Sequence, residues 1–390
     1  MFSRDILENR NGKLKKSDWI LIVCSWLLIQ IIVCYFLGIR DQEEAVKYIG
    51  LADKWMKGDR NFSLYNLFYS GYVSIFVLLR SFGLPFKSMY VVQLLFSLLA
   101  VYFFIKILCL YIQSRFAIVV SAILYATCYI IQQWVSALFT DSIFSDLLII
   151  ATYFLLTEKN GTGNKWLFWI LLYILPLFRP VGFLFIPVAC LYWLTFNPRK
   201  NISRLLVCMG YLLLIGLVVY KTFGHDEPYY YPIHSLHNIQ ANVICGYPGD
   251  LLKYATIPYQ EGMSVFSFLY HNPGMTCRLF LLRTYKIFSM GRPYFSSVHN
   301  LLLFITTFFY YTSAIIGTID IFRRKENKYY FLIAGVLIFS FPMIIFCVEW
   351  TGRLSLPVLN FVLLLSGIGI DRIRRSSNFL PPVRHDALQQ

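Results

Sequence analysis

Residues 89–112 read MYVVQLLFSLLAVYFFIKILCLYI, interrupted by a single charge at Lys106. As a helix this run crosses the hydrocarbon core of a bilayer, which takes about 20 apolar residues. Comparable apolar blocks lie at 18–38, 116–132, 138–156, 166–178, 180–196, 205–223, 300–322, 329–348 and 354–370. The 390 residues are 58% hydrophobic, 18% aromatic and 14% charged, with mean hydropathy +0.60. Ordinary soluble domains carry about a quarter charged residues, so a soluble enzyme is excluded. The abundance of Phe, Leu, Ile and Tyr excludes a disordered chain. The expected fold is an all-α polytopic membrane protein with about ten transmembrane helices.

Residues 64–84 are the ambiguous block, because Tyr65, Asn66, Tyr69, Ser70, Tyr72 and Arg80 dilute it. Read as a juxtamembrane helix lying flat, it leaves ten spans with the N-terminus inside. The inside segments then carry Lys and Arg at about three times the density of the outside loops, as the positive-inside rule requires. Read as a span, it turns Pro198-Arg199-Lys200 and Arg323-Arg324-Lys325 outward. The flat helix is therefore the expected arrangement. The chain divides into an N-terminal transmembrane module, 1–223, whose first outer loop is 39–88. An outer loop of about 75 residues, 224–298, follows. The C-terminal helices and basic tail occupy 299–390.

The net charge of +15 belongs to this loop asymmetry; no basic face or base-stacking module points to nucleic acid. No Walker or dinucleotide-binding glycine pattern and no internal repeat stands out. The nine cysteines have no metal-ligand spacing. His234 and His237 lack a third ligand, and neither a metal nor a cofactor is expected. Seven cysteines fall in apolar blocks, while Cys245 and Cys277 share the long loop, where the sequence leaves open a disulfide in an oxidising compartment or two free thiols. The first apolar block has neither the length nor the cleavage pattern of a secretory leader.

The topology gathers unusual charges at the outer face. Asp41, Glu43 and Glu44 follow the first span, Asp141 opens the block at 138–156, Arg179 sits at an Arg-Pro break, and Glu349 and Arg353 lie in the last outer loop. Asp146 lies about one turn deeper than Asp141. Each has an ordinary reading: solvated loop acids, a snorkelling arginine, an N-cap in Thr140-Asp141-Ser142. Together they suit another purpose. A carboxylate takes a proton from an acceptor hydroxyl, while an arginine binds a lipid phosphate and stabilises its charge as it leaves.

Four elements, in this order, resemble the GT-C superfamily of integral membrane glycosyltransferases, which includes protein O-mannosyltransferases and lipid A aminoarabinose transferases. An acidic residue precedes Tyr48-Ile49-Gly50-Leu51-Ala52. The segment from Tyr69 to Gly83 is similar to the juxtamembrane helix of the first outer loop, without the Pro-Pro-Leu start. Phe139-Thr140-Asp141-Ser142 and Leu177-Phe178-Arg179-Pro180-Val181-Gly182 resemble an acidic helix opening and a Thr-Arg-Pro-x-Gly element. Gly352-Arg353-Leu354-Ser355-Leu356-Pro357 resembles an Arg-Tyr-x-x-Pro segment, with Leu354 in place of Tyr.

The resemblance implies an inverting transferase that takes a sugar from a polyprenyl-phosphate carrier at the outer leaflet. The acceptor is a glycan, lipid or protein, and the membrane is expected to be a bacterial plasma membrane. Asp41 or Glu44 is the implied base; the family's acid, four residues before the Tyr, falls on Glu44, while the nearby Asp is Asp41. Asp141 is implied to orient the site. Arg179 and Arg353 are implied to hold the carrier phosphate, with Tyr48 beside them. A transporter, flippase or polymerase of lipid-linked saccharides shares the spans and the carrier and is the alternative.

Overall fold

The computed structural model describes residues 14–59, 64–157, 165–196, 202–223, 242–245, 253–257, 265–345, 348 and 352–377. Tyr229-Tyr230-Tyr231, His234, His237, Glu349 and the tail 378–390 lie outside them, as does most of the outer loop 224–298. Among the described residues there are helices and two isolated backbone bridges.

The helices that matter for the site are α1 (Lys16–Leu37), α2 (Glu44–Met56), α3 (Ser70–Ser81), α4 (Met89–Tyr111), α5 (Arg115–Ala126) and α6 (Thr140–Thr157). They continue with α7 (Lys165–Phe178), α8 (Phe185–Phe196), α9 (Ile202–Phe223), α10 (Pro273–Ser289), α11 (Ser297–Arg323), α12 (Tyr330–Ile345) and α13 (Leu356–Ser377). Among the described residues, six helices have the length and composition to cross a membrane. These are Lys16–Leu37, Phe86–Tyr111, Thr140–Thr157, Ser297–Arg323, Asn327–Ile345 and Arg353–Ser376. Of the remaining blocks of the ten-span expectation, Arg115–Ala126, Trp166–Phe178 and Pro180–Thr195 form shorter apolar helices, and the fourth lies in α9, which is 22 residues long. The physical reason is punctuation. Pro176 stands inside α7, and Arg179-Pro180 turns the chain into a 3₁₀ segment, Pro180–Leu184, before α8. The ambiguous block 64–84 forms a short turn, Leu64–Leu67, and the 12-residue α3, about 18 Å long and too short to span. It packs on α2.

Two helices make the centre. In their apolar windows α13 is 94% buried and α6 is 89% buried, whereas α1 and α11 are 22% and 33% buried. The rim helices turn Leu28, Ile31, Phe36, Leu302, Phe308 and Ile315 outward. An apolar outer surface of this kind is what a lipid-facing helix presents. Because lipid is as apolar as these side chains, close backbone approach holds the helices together. Gly317 of α11 and Gly369 of α13 sit against each other's backbones, and the Ser313 and Ser366 hydroxyls meet at 2.5 Å across the same crossing.

The two ends of the bundle differ. One carries the starts of α2, α6, α11 and α13 with the ends of α1 and α12. The other is tied by ion pairs: Arg115 grips Asp18 at 2.7 Å, and Asp320 takes Arg324 at 3.0 Å, Arg372 at 3.4 Å and Arg375 at 3.6 Å. Asp371 takes Arg375 at 2.9 Å and the Ser114 N–H at 3.1 Å.

Cys245 is disulfide-bonded, but Cys277 is a free, exposed thiol. Cys245 and Cys277 therefore do not pair with each other. Cys277 stands on α10, whereas Cys245 is anchored elsewhere: its N–H donates to Val348 O at 2.9 Å, and the Val348 N–H donates to Val243 O at 3.1 Å.

Candidate functional site

The segment that leaves α1 is fixed by its backbone. Gly38 adopts φ +63°, which an L side chain resists, and lets the chain turn off the helix end. The Arg40 N–H then donates to Ser136 O and the Leu138 N–H to Arg40 O, both at 2.9 Å. Gln93 of α4 holds the same strip from behind, donating to Ala137 O at 2.8 Å and Phe139 O at 3.2 Å. Residues 38–44 are thus pinned alongside the strip that runs into α6. Deeper in the bundle Trp26 donates to Ser97, while Ser97 and Gln30 both donate to the Gln132 amide oxygen, at 3.1 and 2.6 Å. Polar side chains in a membrane interior are expensive unless paired, and this chain of hydrogen bonds pairs them.

Glu43 has φ +55°, a conformation that a non-glycine residue seldom adopts. It separates the acids on either side. Asp41 pairs with exposed Lys87 at 3.4 Å and lines a cavity. Glu44, opening α2, reaches a different set. Its Oε1 accepts from Arg353 Nη2 at 2.5 Å, and its Oε2 accepts from the Tyr48 hydroxyl one helical turn on, at 3.1 Å.

Asp141 completes that set. Its carboxylate is fully buried in the first turn of α6, where the positive end of the helix favours an anion. Arg179 forms an ion pair with Asp141 Oδ1, and Arg353 Nη1 stands 3.8 Å from Asp141 Oδ2. The Arg353 guanidinium also lies 5.5 Å from the Phe139 ring centre. Two acids and two arginines, brought from residues 44, 141, 179 and 353, therefore form one neutral cluster. The break after α7 is what delivers Arg179. Gly182 packs so tightly on Leu175 and Pro176 that a Cβ there would stand 2.6 Å from a backbone carbon, and its N–H donates to Arg179 O at 2.9 Å.

Burial pulls the Glu44 carboxyl toward protonation, but the Arg353 hydrogen bond and charge outweigh it, helped by Arg179 and Tyr48. The group ends below the usual glutamate range and is ionised at neutral pH. The Tyr48 phenol is pushed well above its ordinary value by burial, then by Tyr69 and by the Glu44 charge, so it stays a donor.

Beside the cluster, reached past Phe139 and Gly352, is a cavity of about 460 Å³. Its wall includes Arg40, Asp41, Gln133, Trp134, Tyr294 and His299. Of the sequence candidates, Glu44, Tyr48, Asp141, Arg179 and Arg353 converge, while Asp41 faces the adjoining cavity. Asp146 is buried farther along α6, takes a hydrogen bond from Ser142, and makes no ion pair among the described residues. No group of three or more His, Cys, Asp or Glu placed to hold a metal occurs among the described residues. The cavity wall was not foreseen. Its signal in the sequence is Arg40 beside Asp41 and the amides at 93, 132 and 133 in otherwise apolar surroundings.

Compared with known protein families, curated proteins and solved structures, the chain matches none.

Proposed function

We propose that this protein is a membrane-embedded glycosyltransferase that moves a sugar from a polyprenyl-phosphate carrier to an acceptor hydroxyl. The observation that carries the reading is the meeting of Glu44, Asp141, Arg179 and Arg353 beside a cavity at one end of an apolar helix bundle. The resemblance to GT-C transferases falls on these same residues, and it supports an inverting reaction at the outer leaflet; the compact chain with short loops favours a bacterial plasma membrane.

The residues divide the work by their surroundings. Arg179 and Arg353 carry fork-shaped donors suited to a phosphate diester, and a guanidinium has five N–H groups, more than one carboxylate takes up. Asp141 and Glu44 hold those forks in place and keep them from collecting stray anions. Glu44 is a poor base, because both its oxygens are engaged and its carboxyl is held acidic. Asp41, at the cavity wall, is the base. The acceptor oxygen attacks the anomeric carbon, its proton passes to the Asp41 carboxylate, and the bond from that carbon to the phosphate oxygen breaks. Polyprenyl phosphate leaves with the bonding pair, its charge stabilised by the two arginines.

The test is turnover of polyprenyl-phosphate sugar by purified protein. Asp41→Asn is expected to lower transfer by about 100-fold or more while donor binding persists. Full activity in the Asp41→Asn, Glu44→Gln double variant overturns the mechanism.

A further inference from the structure

The charged cluster is already full. Glu44 and Asp141 meet the charges of Arg179 and Arg353, so the four side chains sum to zero. A phosphate that came to the arginines would add a negative charge beside two carboxylates, where a like charge is disfavoured. It enters with a net gain only if one carboxylate gives way.

The two acids differ in their freedom to do so. Asp141 has no exposed side-chain surface, stands in the first turn of α6 and lies between Arg179 and Arg353. Glu44 keeps 28% of its side chain exposed, opens α2 and makes its ion pair with Arg353. The guanidinium is divided between them: Nη2 donates to Glu44 Oε1 at 2.5 Å, while Nη1 stands 3.8 Å from Asp141 Oδ2. Departure of Glu44 therefore frees one edge of the fork, and Asp141 keeps its place beside the other. Rotation about the Glu44 side-chain bonds is enough, because Gln42 and Glu43 before it are themselves exposed. The released charge is not stranded, since the first turn of α2 favours an anion. Until then the Tyr48 hydroxyl, donating to Oε2 at 3.1 Å, keeps the carboxylate turned toward Arg353.

We propose that Glu44 is a latch: its carboxylate holds on Arg353 the place of the carrier phosphate, and an incoming lipid-borne phosphate displaces it. Glu44 is thereby a specificity-determining residue, because a neutral lipid brings no charge to replace it and leaves the latch shut. The assignment rests on the transferase reading for the identity of the phosphate and on the charge balance of the cluster for the exchange.

A residue that only positions Arg353 and one that competes with phosphate differ in sign. Loss of the first weakens phosphate binding; loss of the second tightens it. The test uses the full chain in phosphatidylcholine nanodiscs and equilibrium binding of radiolabelled methyl farnesyl phosphate, which carries the single charge of the donor diester without its sugar. Farnesol supplies the lipid without the charge, and dimethyl phosphate the charge without the lipid. Glu44→Gln keeps the shape, removes the charge and is expected to tighten binding of the farnesyl ester about tenfold. Tyr48→Phe only loosens the carboxylate and is expected to tighten it about threefold. The gain is expected for the ester and not for farnesol. Unchanged or weaker binding of the ester by Glu44→Gln, or an equal gain for farnesol, overturns the latch. Dimethyl phosphate bound as tightly as the farnesyl ester makes the occupant a free anion and overturns the carrier. Should Glu44→Gln not fold, wild-type affinity in Tyr48→Phe overturns the proposal by itself. Turnover of polyprenyl-phosphate sugar by the wild type is scored separately. Turnover without tightening removes the latch and keeps the transferase; tightening with an inert donor removes the transferase and keeps the exchange of anions.

Discussion

At the scale of single residues, the pairing of Glu44 with Arg353 explains why two neighbouring acids have different fates. Glu44 is tied to Arg353 and Tyr48, while Asp41, three residues earlier, keeps only an exposed lysine contact and a place on the cavity wall. The sequence places both acids together after the first span, but nothing in it says that Glu43 reverses the backbone between them. That is a conformational property of one residue, invisible to hydropathy and spacing. The consequence can be measured by pH. Glu44 titrates lower in the folded protein than in the unfolded chain, so its contribution is complete above the unfolded value, about 4.3, and is lost as pH falls through the lower folded value. The thermal midpoint of Glu44→Gln is expected to lie below wild type at pH 7 and to approach it near pH 3. A gap that stays constant across that range contradicts the ion pair. Removing one member of the buried pair, as in Arg179→Ala, leaves Asp141 with the more distant Arg353 at 3.8 Å and is expected to destabilise by about 3 kcal/mol. The double variant Arg179→Ala, Asp141→Ala is expected to recover part of that loss in chemical denaturation.

At the scale of elements, the site depends on helix breaks. The Arg-Pro dipeptide is legible in the sequence as a break, but its partner across the fold is not, because Asp141 lies dozens of residues away in the chain. The Gly182 contact shows how narrow the geometry is. Gly182→Ala forces the 3₁₀ turn away from Leu175 and is expected to displace Arg179, lowering donor turnover more than tenfold with a modest loss of thermal stability. Gly182→Ala with wild-type turnover would show that the turn does not set the arginine. The apolar helices themselves were legible to within a few residues, since length and hydropathy decide them. Which of them reach the length of a span is less directly legible, because proline and arginine punctuate the chain at α7 and α8, which are 14 and 12 residues long. The pairing of Cys245 and Cys277 was open in the sequence for a related reason: both share a loop there, and only the fold shows that Cys277 lies on a helix while Cys245 is held at Val348.

At the scale of the whole molecule, the bundle separates the buried charged cluster from the ion pairs that fasten the helices. One end carries Glu44, Asp141, Arg179 and Arg353 with the cavity; the other carries contacts that join helix ends, Asp18 with Arg115, Asp320 with Arg372 and Arg375 of α13, and Asp371 of α13 with the Ser114 N–H. The crossing of α11 and α13 joins the two ends through glycine. Gly369→Val drives a side chain into the Ser313 backbone and is expected to abolish stable insertion, seen as loss of the monodisperse peak in detergent, where a change at the exposed Ile315 does not. The proposed transferase needs its charged cluster at one end only, whereas a carrier with alternating access needs both ends. The most direct measurement is therefore made on purified protein in sealed proteoliposomes, with a radiolabelled polyprenyl-phosphate sugar and glycan, lipid and protein acceptors. The account predicts release of polyprenyl phosphate and appearance of label on the acceptor, both lost in Arg353→Ala. Label that moves between leaflets with the donor intact, unchanged in Arg353→Ala, would contradict it.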